Sequence, residues 1–153
     1  MDLNTFSNIN NEDNIGFAGL VNFENKNTLK EKWELNQQYR IESISKDYRR
    51  IERFREVEFE RNWNIQNLIT TKDQLLSSAK INLKHLENGL FQYKLNSYFI
   101  KDDFNGYKND FKIKWNKKVN LNFDGSLMNS EGQFNTSFLR HKTDLFIPVS
   151  YTH

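Results

Sequence analysis

The sequence predicts a mainly β protein, built as an antiparallel up-and-down meander of about seven strands with one short helix. Apolar and polar residues alternate with a period of two over most of the chain, as in strands with one apolar and one polar face. Clusters of Asn, Asp and Gly interrupt this alternation at regular intervals, as hairpin turns do. Aromatic residues supply 14% of the 153 residues, mostly as 13 Phe, so the apolar content lies in large rings. The same alternation occurs in transmembrane β-barrels, and the meander is therefore a candidate piece of one.

Residues 1–44 are predicted to form an N-terminal hairpin. Its first strand carries apolar residues at odd positions from Ile15 onward, and residues 25–27, Asn-Lys-Asn, supply the turn. The second strand keeps the same parity from Leu29 to Ile41, against polar and charged residues at the even positions. The hairpin therefore has one apolar and one polar face.

Residues 45–71 are predicted to form a charged connector, helical or irregular, in which the alternation weakens. Ser45 is a suitable N-cap residue, and apolar residues follow it at steps of three and four. Arg and Glu fill the other positions, as on a solvated helix flank where each ion pair contributes about 0.2–0.5 kcal/mol. A helix over residues 45–64 is favoured. A strand over residues 55–63 is the alternative, because apolar and charged residues also alternate there.

Residues 72–147 are predicted to form an antiparallel meander of five strands. Its first turn is expected at Glu87-Asn88-Gly89, where Asn-Gly supplies the positive φ angles of a tight hairpin. The later turns are expected at residues 102–106, 116–118 and 129–132.

The apolar residues of the meander are expected to share one face if the hairpin registers hold. Burying each large side chain is worth about 1.5–3 kcal/mol, so exposing this face to water would be costly. Candidates for its cover within the chain are the N-terminal hairpin and the connector; outside it they are missing parts of a longer parent chain, a partner or lipid. Ser97 and Asn109 interrupt the apolar parity. The candidate lipid-facing or partner-facing aromatics are Phe91, Tyr93, Phe99, Phe111, Trp115, Phe123, Phe134 and Phe138.

The charge balance argues against nucleic acid as a partner. Lysine and arginine number 22 against 20 aspartates and glutamates, and a net charge of +2 gives no strong field over the whole chain. The lysines of the meander also have the parity opposite to the aromatics, whereas single-strand binding proteins place both on one surface. We therefore expect no nucleic-acid partner.

No residue pattern in the sequence indicates catalysis, a cofactor or a metal. The sequence has no Cys, and neither His85 nor His141 has a second His or Cys at metal-binding spacing. It also contains neither a Gly-x-Ser-x-Gly nucleophile motif nor a Gly-rich phosphate loop. The acidic stretches at residues 10–14 and 102–106 are interpreted as plain turns rather than calcium sites. The connector glutamates are interpreted as ion-pair partners rather than a glycosidase pair.

Three stretches carry a resemblance to a known class of proteins. They are residues 11–18 (NEDNIGFA), 52–54 (ERF) and 58–64 (EFERNWN), and Asn- and Lys-rich aromatic strands follow them. This arrangement resembles part of the β-strand-rich region of large outer-membrane or cell-surface proteins of Bacteroidota. The resemblance implies β architecture, an outer-membrane or cell-surface location and a much longer parent chain.

The last six residues, 148–153, resemble a translated sequencing adapter. On this interpretation they are a non-native tail of a truncated metagenomic fragment whose natural sequence stops near Ile147. His153 is then excluded from any chemistry.

Together these patterns predict a non-enzymatic fragment of a large outer-membrane or cell-surface β protein with a structural, transport or assembly role. Its expected partners are the missing parts of the parent chain, lipid or another outer-membrane component. The alternative is a soluble extracellular β module that binds glycans or proteins, with Trp33 and Trp115 as stacking rings.

Overall fold

The computed structural model describes residues 2–9, 15–30, 32–48, 59–63, 65, 72–117, 119–132 and 135–147, so the adapter-like tail lies outside it. The elements are eight strands and one helical turn. They are β1 (Asp2–Ile9), β2 (Ile15–Leu29), β3 (Trp33–Ile44), α1 (Phe59–Asn62), β4 (Gln74–His85), β5 (Gly89–Ile100), β6 (Phe104–Asn116), β7 (Asn120–Glu131) and β8 (Thr136–Phe146).

The eight strands form one antiparallel sheet in chain order, β1 to β8. The predicted up-and-down meander of about seven strands is confirmed, and β1 is the strand that the alternation did not reveal. β3 pairs with β4 from Trp33 opposite His85 to Ile44 opposite Gln74. The N-terminal hairpin thus lies beside the meander in the same layer and does not cover its apolar face. Among the described residues β1 and β8 each have one neighbouring strand, so the sheet is open and not closed into a barrel.

All strand pairs join residues of equal parity. Odd residues lie opposite odd residues and even opposite even, for example Leu83 opposite Phe91 and Leu121 opposite Leu145. Successive side chains of a strand point to opposite faces. The odd-numbered residues of β2 to β8 therefore share one face, the odd face, and the even-numbered residues share the other, the even face.

The turn predicted at residues 25–27 is wrong. β2 continues through these residues to Leu29, and the chain reverses at Lys30, which has a φ of 57°. Asn25 stays in the strand, and its Nδ2 donates to Oε1 of Gln37 on β3 over 3.4 Å. A polar residue can remain within a strand in this way, because a side chain on the neighbouring strand is its hydrogen-bond partner.

The turns after β4, β5 and β6 lie close to their predicted places but differ in detail, whereas the turn predicted at residues 129–132 is wrong for its first three residues, because β7 continues to Glu131. The β4–β5 turn comprises residues 86–88, and Gly89 begins β5 without the predicted positive φ. The β5–β6 turn comprises residues 101–103, with a φ of 59° at Asp102. Phe104 therefore begins β6 instead of lying in a turn, and its side chain is buried.

The connector between β3 and β4 contains helix only as the single turn α1 within the described residues. The alternative prediction, a strand over residues 55–63, is wrong at residues 59–62, which form α1. Residues 49–58 lie outside the described part of the chain. The connector leaves β3 across the even face, where a Cβ on Gly16 would collide with the backbone of Asp47 and Tyr48. Glycine is required by this close approach. Within the described ranges, no helix is long and apolar enough to cross a membrane.

The hydrophobic core lies on the even face, at the strand ends beside the connector. Trp63 of the connector packs on Tyr98 and Phe104, with ring centroids 5.7 and 6.1 Å apart. Ile100 and Met128 complete the buried cluster. From Gly16 onward, all buried residues of β2 to β8 have even numbers. The described part of the connector therefore covers the face opposite to the one that the sequence predicted to need cover.

Candidate functional site: an uncovered, uncharged sheet face

The odd face is almost free of formal charge. From Phe17 to Leu145 its strand positions hold a single charged residue, Glu131, which is the last residue of β7. The even face of the same strands holds sixteen. The basic residues are Lys26, Arg40, Lys80, Lys84, Lys94, Lys108, Lys112, Lys114, Arg140 and Lys142, and the acidic residues are Glu24, Glu34, Glu42, Asp110, Asp124 and Asp144.

Large apolar side chains of the odd face are exposed. Trp115 is 38% exposed, Phe111 39% and Phe99 45%, although all three belong to interior strands of the sheet. From Phe17 onward, no odd-numbered residue in the described strands is buried. The exposed large apolar residues of this face are Phe17, Phe23, Leu29, Tyr39, Ile41, Leu75, Phe91, Phe99, Tyr107, Phe111, Trp115, Leu139 and Leu145.

The predicted aromatics mostly share this face. The prediction is wrong for Phe138. This residue lies opposite Met128 and therefore belongs to the even face, because the register pairs even residues with even residues. Phe134 lies outside the described residues. The six that share the odd face are Phe91, Tyr93, Phe99, Phe111, Trp115 and Phe123.

Polar side chains in the middle of the odd face hydrogen-bond to one another. The hydroxyl oxygens of Ser77 and Ser97 lie 2.7 Å apart, across β4 and β5. The Tyr93 hydroxyl donates to Oδ1 of Asn109 over 2.7 Å. The two residues that interrupt the apolar parity, Ser97 and Asn109, thus have partners within the face. Paired polar groups cost far less in an apolar environment than free ones.

Trp33, His85 and Trp115 form an aromatic row across the odd face. The His85 ring lies edge-on to Trp33, with centroids 4.8 Å apart, and 6.2 Å from the ring of Trp115. Gly89 lies opposite Trp115, and a Cβ there would approach Cε3 of that ring to 2.5 Å. The missing side chain at Gly89 therefore leaves room for the Trp115 ring. The sequence predicted both tryptophans as exposed rings, but did not predict His85 between them.

The even face is polar, and part of its charge is paired. Lys112 lies 3.2 Å from Asp124, on neighbouring strands. The Glu24 carboxylate accepts hydrogen bonds from the amides of Gln38 and Asn36, and these bonds lower the pKa of Glu24. This face has the composition of a surface in contact with water.

The described residues do not assemble a metal site. Within the described ranges, no group of three or more His, Asp or Glu side chains could hold a metal ion. His141 is exposed on β8, and Asp103 of the β5–β6 turn pairs with Lys72 at 3.2 Å. The acidic stretch at residues 10–14 lies outside the described residues.

No protein-family model, no curated protein and no solved structure matches this chain.

Proposed function

We propose that this chain is a non-enzymatic segment of an outer-membrane or cell-surface β protein and that its odd face contacts lipid. The single observation that carries the proposal is the segregation of charge, with one charged residue on the odd face and sixteen on the even face. Soluble monomers rarely expose contiguous apolar patches beyond about 300–600 Å². Transmembrane sheets, in contrast, place apolar side chains toward lipid and polar side chains toward water.

The length of the uncharged band fits a bilayer. On β5 the odd face extends from Gly89 to Phe99, ten residues apart along the strand. At about 3.3 Å per residue this is roughly 33 Å. A strand tilted by about 40° would span roughly 25 Å of membrane thickness, which is the height of the apolar band in outer-membrane barrels.

The position of the connector supports the same orientation. In a soluble one-layer sheet, a long connector would lower the free energy most by covering the apolar face. Here Trp63 packs on Tyr98 and Phe104 of the even face. The described part of the connector therefore lies on the side that the proposal assigns to water.

One connection of the sheet is far longer than the others. Three residues separate β2 from β3, β4 from β5 and β6 from β7 at one end. At the other end three residues separate β5 from β6 and four separate β7 from β8, but 29 residues lie between Ile44 and Gln74. The aromatic row lies at the short-turn end, where Trp side chains of membrane barrels meet the lipid headgroups.

The proposal also has a consequence for the two edge strands of the sheet, β1 and β8. Among the described residues no further strand lies beside β1 or β8. Backbone groups at an open edge cannot remain unsatisfied in lipid. Further strands of the parent chain, or another outer-membrane component, would complete the sheet.

Single-tryptophan variants test the lipid-facing surface directly. The chain has three Trp, of which Trp33 and Trp115 lie on the odd face and Trp63 is 5% exposed in the even-face core. Each variant keeps one Trp and replaces the other two by Phe. The variants are folded into phosphatidylcholine vesicles with bromine atoms on the acyl chains, and Trp fluorescence is compared with that in unbrominated vesicles.

We expect strong quenching for the Trp33 and Trp115 variants and little for the Trp63 variant, which serves as the matched internal control. Far-UV circular dichroism establishes that each variant keeps its strand content. Equal, weak quenching of all three variants in the folded state would refute a lipid-facing odd face.

A second candidate function is favoured by the aromatic row. Trp rings that are open to solvent at one end of the strands can stack on sugars, so a soluble glycan-binding module would use Trp33 and Trp115. Binding to a glycan array that is lost on Trp115→Ala, together with a monomeric chain in detergent-free buffer, would favour this candidate. A blank array would count against it.

A further inference from the structure

The three turns at the short-turn end of the sheet, which join β2 to β3, β4 to β5 and β6 to β7, are basic. They are residues 30–32, 86–88 and 117–119. By sequence these turns contain four Lys and two Glu. Eight Lys and Arg and ten Asp and Glu occupy the connections at the opposite end, which are residues 10–14, 45–73, 101–103 and 132–135. The connections at the two ends therefore have net charges of opposite sign.

Two lysines at the short-turn end have no anionic partner in the described ranges. Lys30 and Lys117 are exposed, and neither has a described carboxylate at ion-pair distance. The one carboxylate among the described residues of these turns is Glu87, which lies 2.9 Å from Nζ of Lys32. The hydrogen bond from Lys32 is the main cause that lowers the pKa of Glu87, and attraction to Lys117 is the smallest. The positive charge of Lys30 and Lys117 is therefore available to a partner.

Exposed apolar side chains lie beside these lysines. Leu29, Leu86 and Val119 are all exposed at the short-turn end. Leu29 lies opposite Trp33 and so extends the aromatic row of the odd face, and Lys30 follows it directly in the chain. Positive charge thus begins where the apolar side chains of the odd face end. Membrane proteins place aromatic and basic side chains in this order where the acyl chains meet the headgroups.

We propose that the short-turn end binds the headgroups of anionic lipids. The inference rests on the proposed function, because it takes the odd face to contact acyl chains. Trp33 and Trp115 then lie at the boundary of the hydrocarbon layer, and Lys30, Lys32 and Lys117 reach the phosphate groups beyond it. A basic end gains free energy at a negatively charged membrane surface. The net negative connections at the opposite end favour the same orientation, with the short turns toward the anionic leaflet.

Vesicle binding by the full chain tests this inference. Sedimentation of sucrose-loaded vesicles gives the partition coefficient for phosphatidylcholine alone and for its mixture with phosphatidylglycerol. We expect wild type to prefer the mixed vesicles. Lys30→Gln and Lys117→Gln should each reduce this preference about fivefold, because a lysine near an anionic surface contributes about that factor. The two lysines lie in separate turns, so one variant suffices if circular dichroism shows that the other has lost its strands.

Lys101→Gln is the matched control. Lys101 is also exposed and without a described carboxylate at ion-pair distance, but it lies in the β5–β6 turn at the opposite end. At about 0.1 M salt the Debye length is about 10 Å, so this replacement should change the preference by less than about twofold.

Equal affinity of wild type for the two kinds of vesicle would overturn the inference, as would equal losses in Lys101→Gln and Lys117→Gln. Strong quenching of Trp33 and Trp115 in brominated phosphatidylcholine would still support a lipid-facing odd face in either case. Failure of headgroup binding and failure of the proposed function are therefore distinguishable.

Discussion

Replacing Phe111 by lysine is expected to destabilise the folded protein far more in a lipid bilayer than a lysine placed on the even face. Phe111 lies on the odd face of β6, four residues from both Tyr107 and Trp115, and is therefore near the middle of the proposed apolar band. Its side chain is 39% exposed and its ring centroid lies 4.9 Å from that of Tyr93. Gln92→Lys on β5 is the matched even-face substitution.

The magnitude has two parts. Loss of the aromatic pair with Tyr93 costs about 0.5–1.5 kcal/mol in any environment, and the lysine methylenes retain part of the apolar contact. A lysine on a lipid-facing strand near the bilayer midplane costs a further 2–4 kcal/mol or so. That second part alone lowers the ratio of folded to unfolded protein by roughly 30-fold to 700-fold. Gln92→Lys avoids it and adds only repulsion from Lys112 across the strand pair, about 0.2–1 kcal/mol.

The assay is equilibrium unfolding by urea in phosphatidylcholine vesicles, followed by far-UV circular dichroism. Phe111→Leu is the control for loss of the ring, and it should cost about 1.5 kcal/mol or less. We expect Phe111→Lys to exceed both other variants by at least about 2 kcal/mol. If Phe111→Lys and Gln92→Lys shift the unfolding free energy by the same amount, the odd face does not contact lipid and the reasoning from charge segregation fails.

Three further outcomes follow from the described contacts. Trp63→Ala should lower the unfolding free energy by about 3–5 kcal/mol in urea titrations, because it empties the centre of the even-face core. Gly89→Ala should displace the Trp115 ring, visible as a changed near-UV circular dichroism spectrum, because the new Cβ would lie 2.5 Å from it. A hydrogen bond from Lys32 lowers the pKa of Glu87, so this carboxylate stabilises the fold above the ordinary pKa of 4.5 and loses that contribution as pH falls toward the lowered value. Wild type should therefore lose more stability than Glu87→Gln in acid urea titrations.

Each of these outcomes has a control within the chain. Trp33→Ala removes a half-buried ring from the uncovered face and should cost clearly less than Trp63→Ala in buffer or detergent; equal losses would contradict the assignment of the core. Gly125→Ala meets its nearest atom, in the Phe123 ring, only at 3.1 Å and should leave the near-UV spectrum close to that of wild type. An identical acid dependence for wild type and Glu87→Gln would show that the Lys32 hydrogen bond has no effect on folding.

The sequence predicted the meander well because its apolar residues keep one parity through several strands. The turn predicted at residues 25–27 failed for a physical reason: Asn and Lys favour turns, but Asn25 finds a partner in Gln37 and continues the strand. β1 was missed because its apolar residues do not hold one parity, with Leu3 and Phe6 on odd and even positions. Local alternation cannot reveal a strand of that kind. It pairs with β2, a longer neighbouring strand, and this pairing sets its register.

The location of the core could not be read from periodicity alone. Tyr98, Ile100 and Phe104 are apolar residues at even positions, next to the β5–β6 turn, where they resemble breaks in the pattern. They become a core only because Trp63 of the connector packs on them, and that contact joins residues far apart in the sequence. A reversal of apolar parity at strand ends beside a long connector is the signal that could have identified them.

The equal parity of all strand pairs has a consequence for how a chain of this kind can change length during evolution. One residue inserted within β5 would move every later residue of that strand to the opposite face, bringing Lys94 and its even neighbours among the aromatics unless a β-bulge absorbed the change. Insertions within strands are therefore expected in pairs of residues. Larger gains or losses should occur as whole hairpins, and odd-numbered changes should be confined to the turns and the connector.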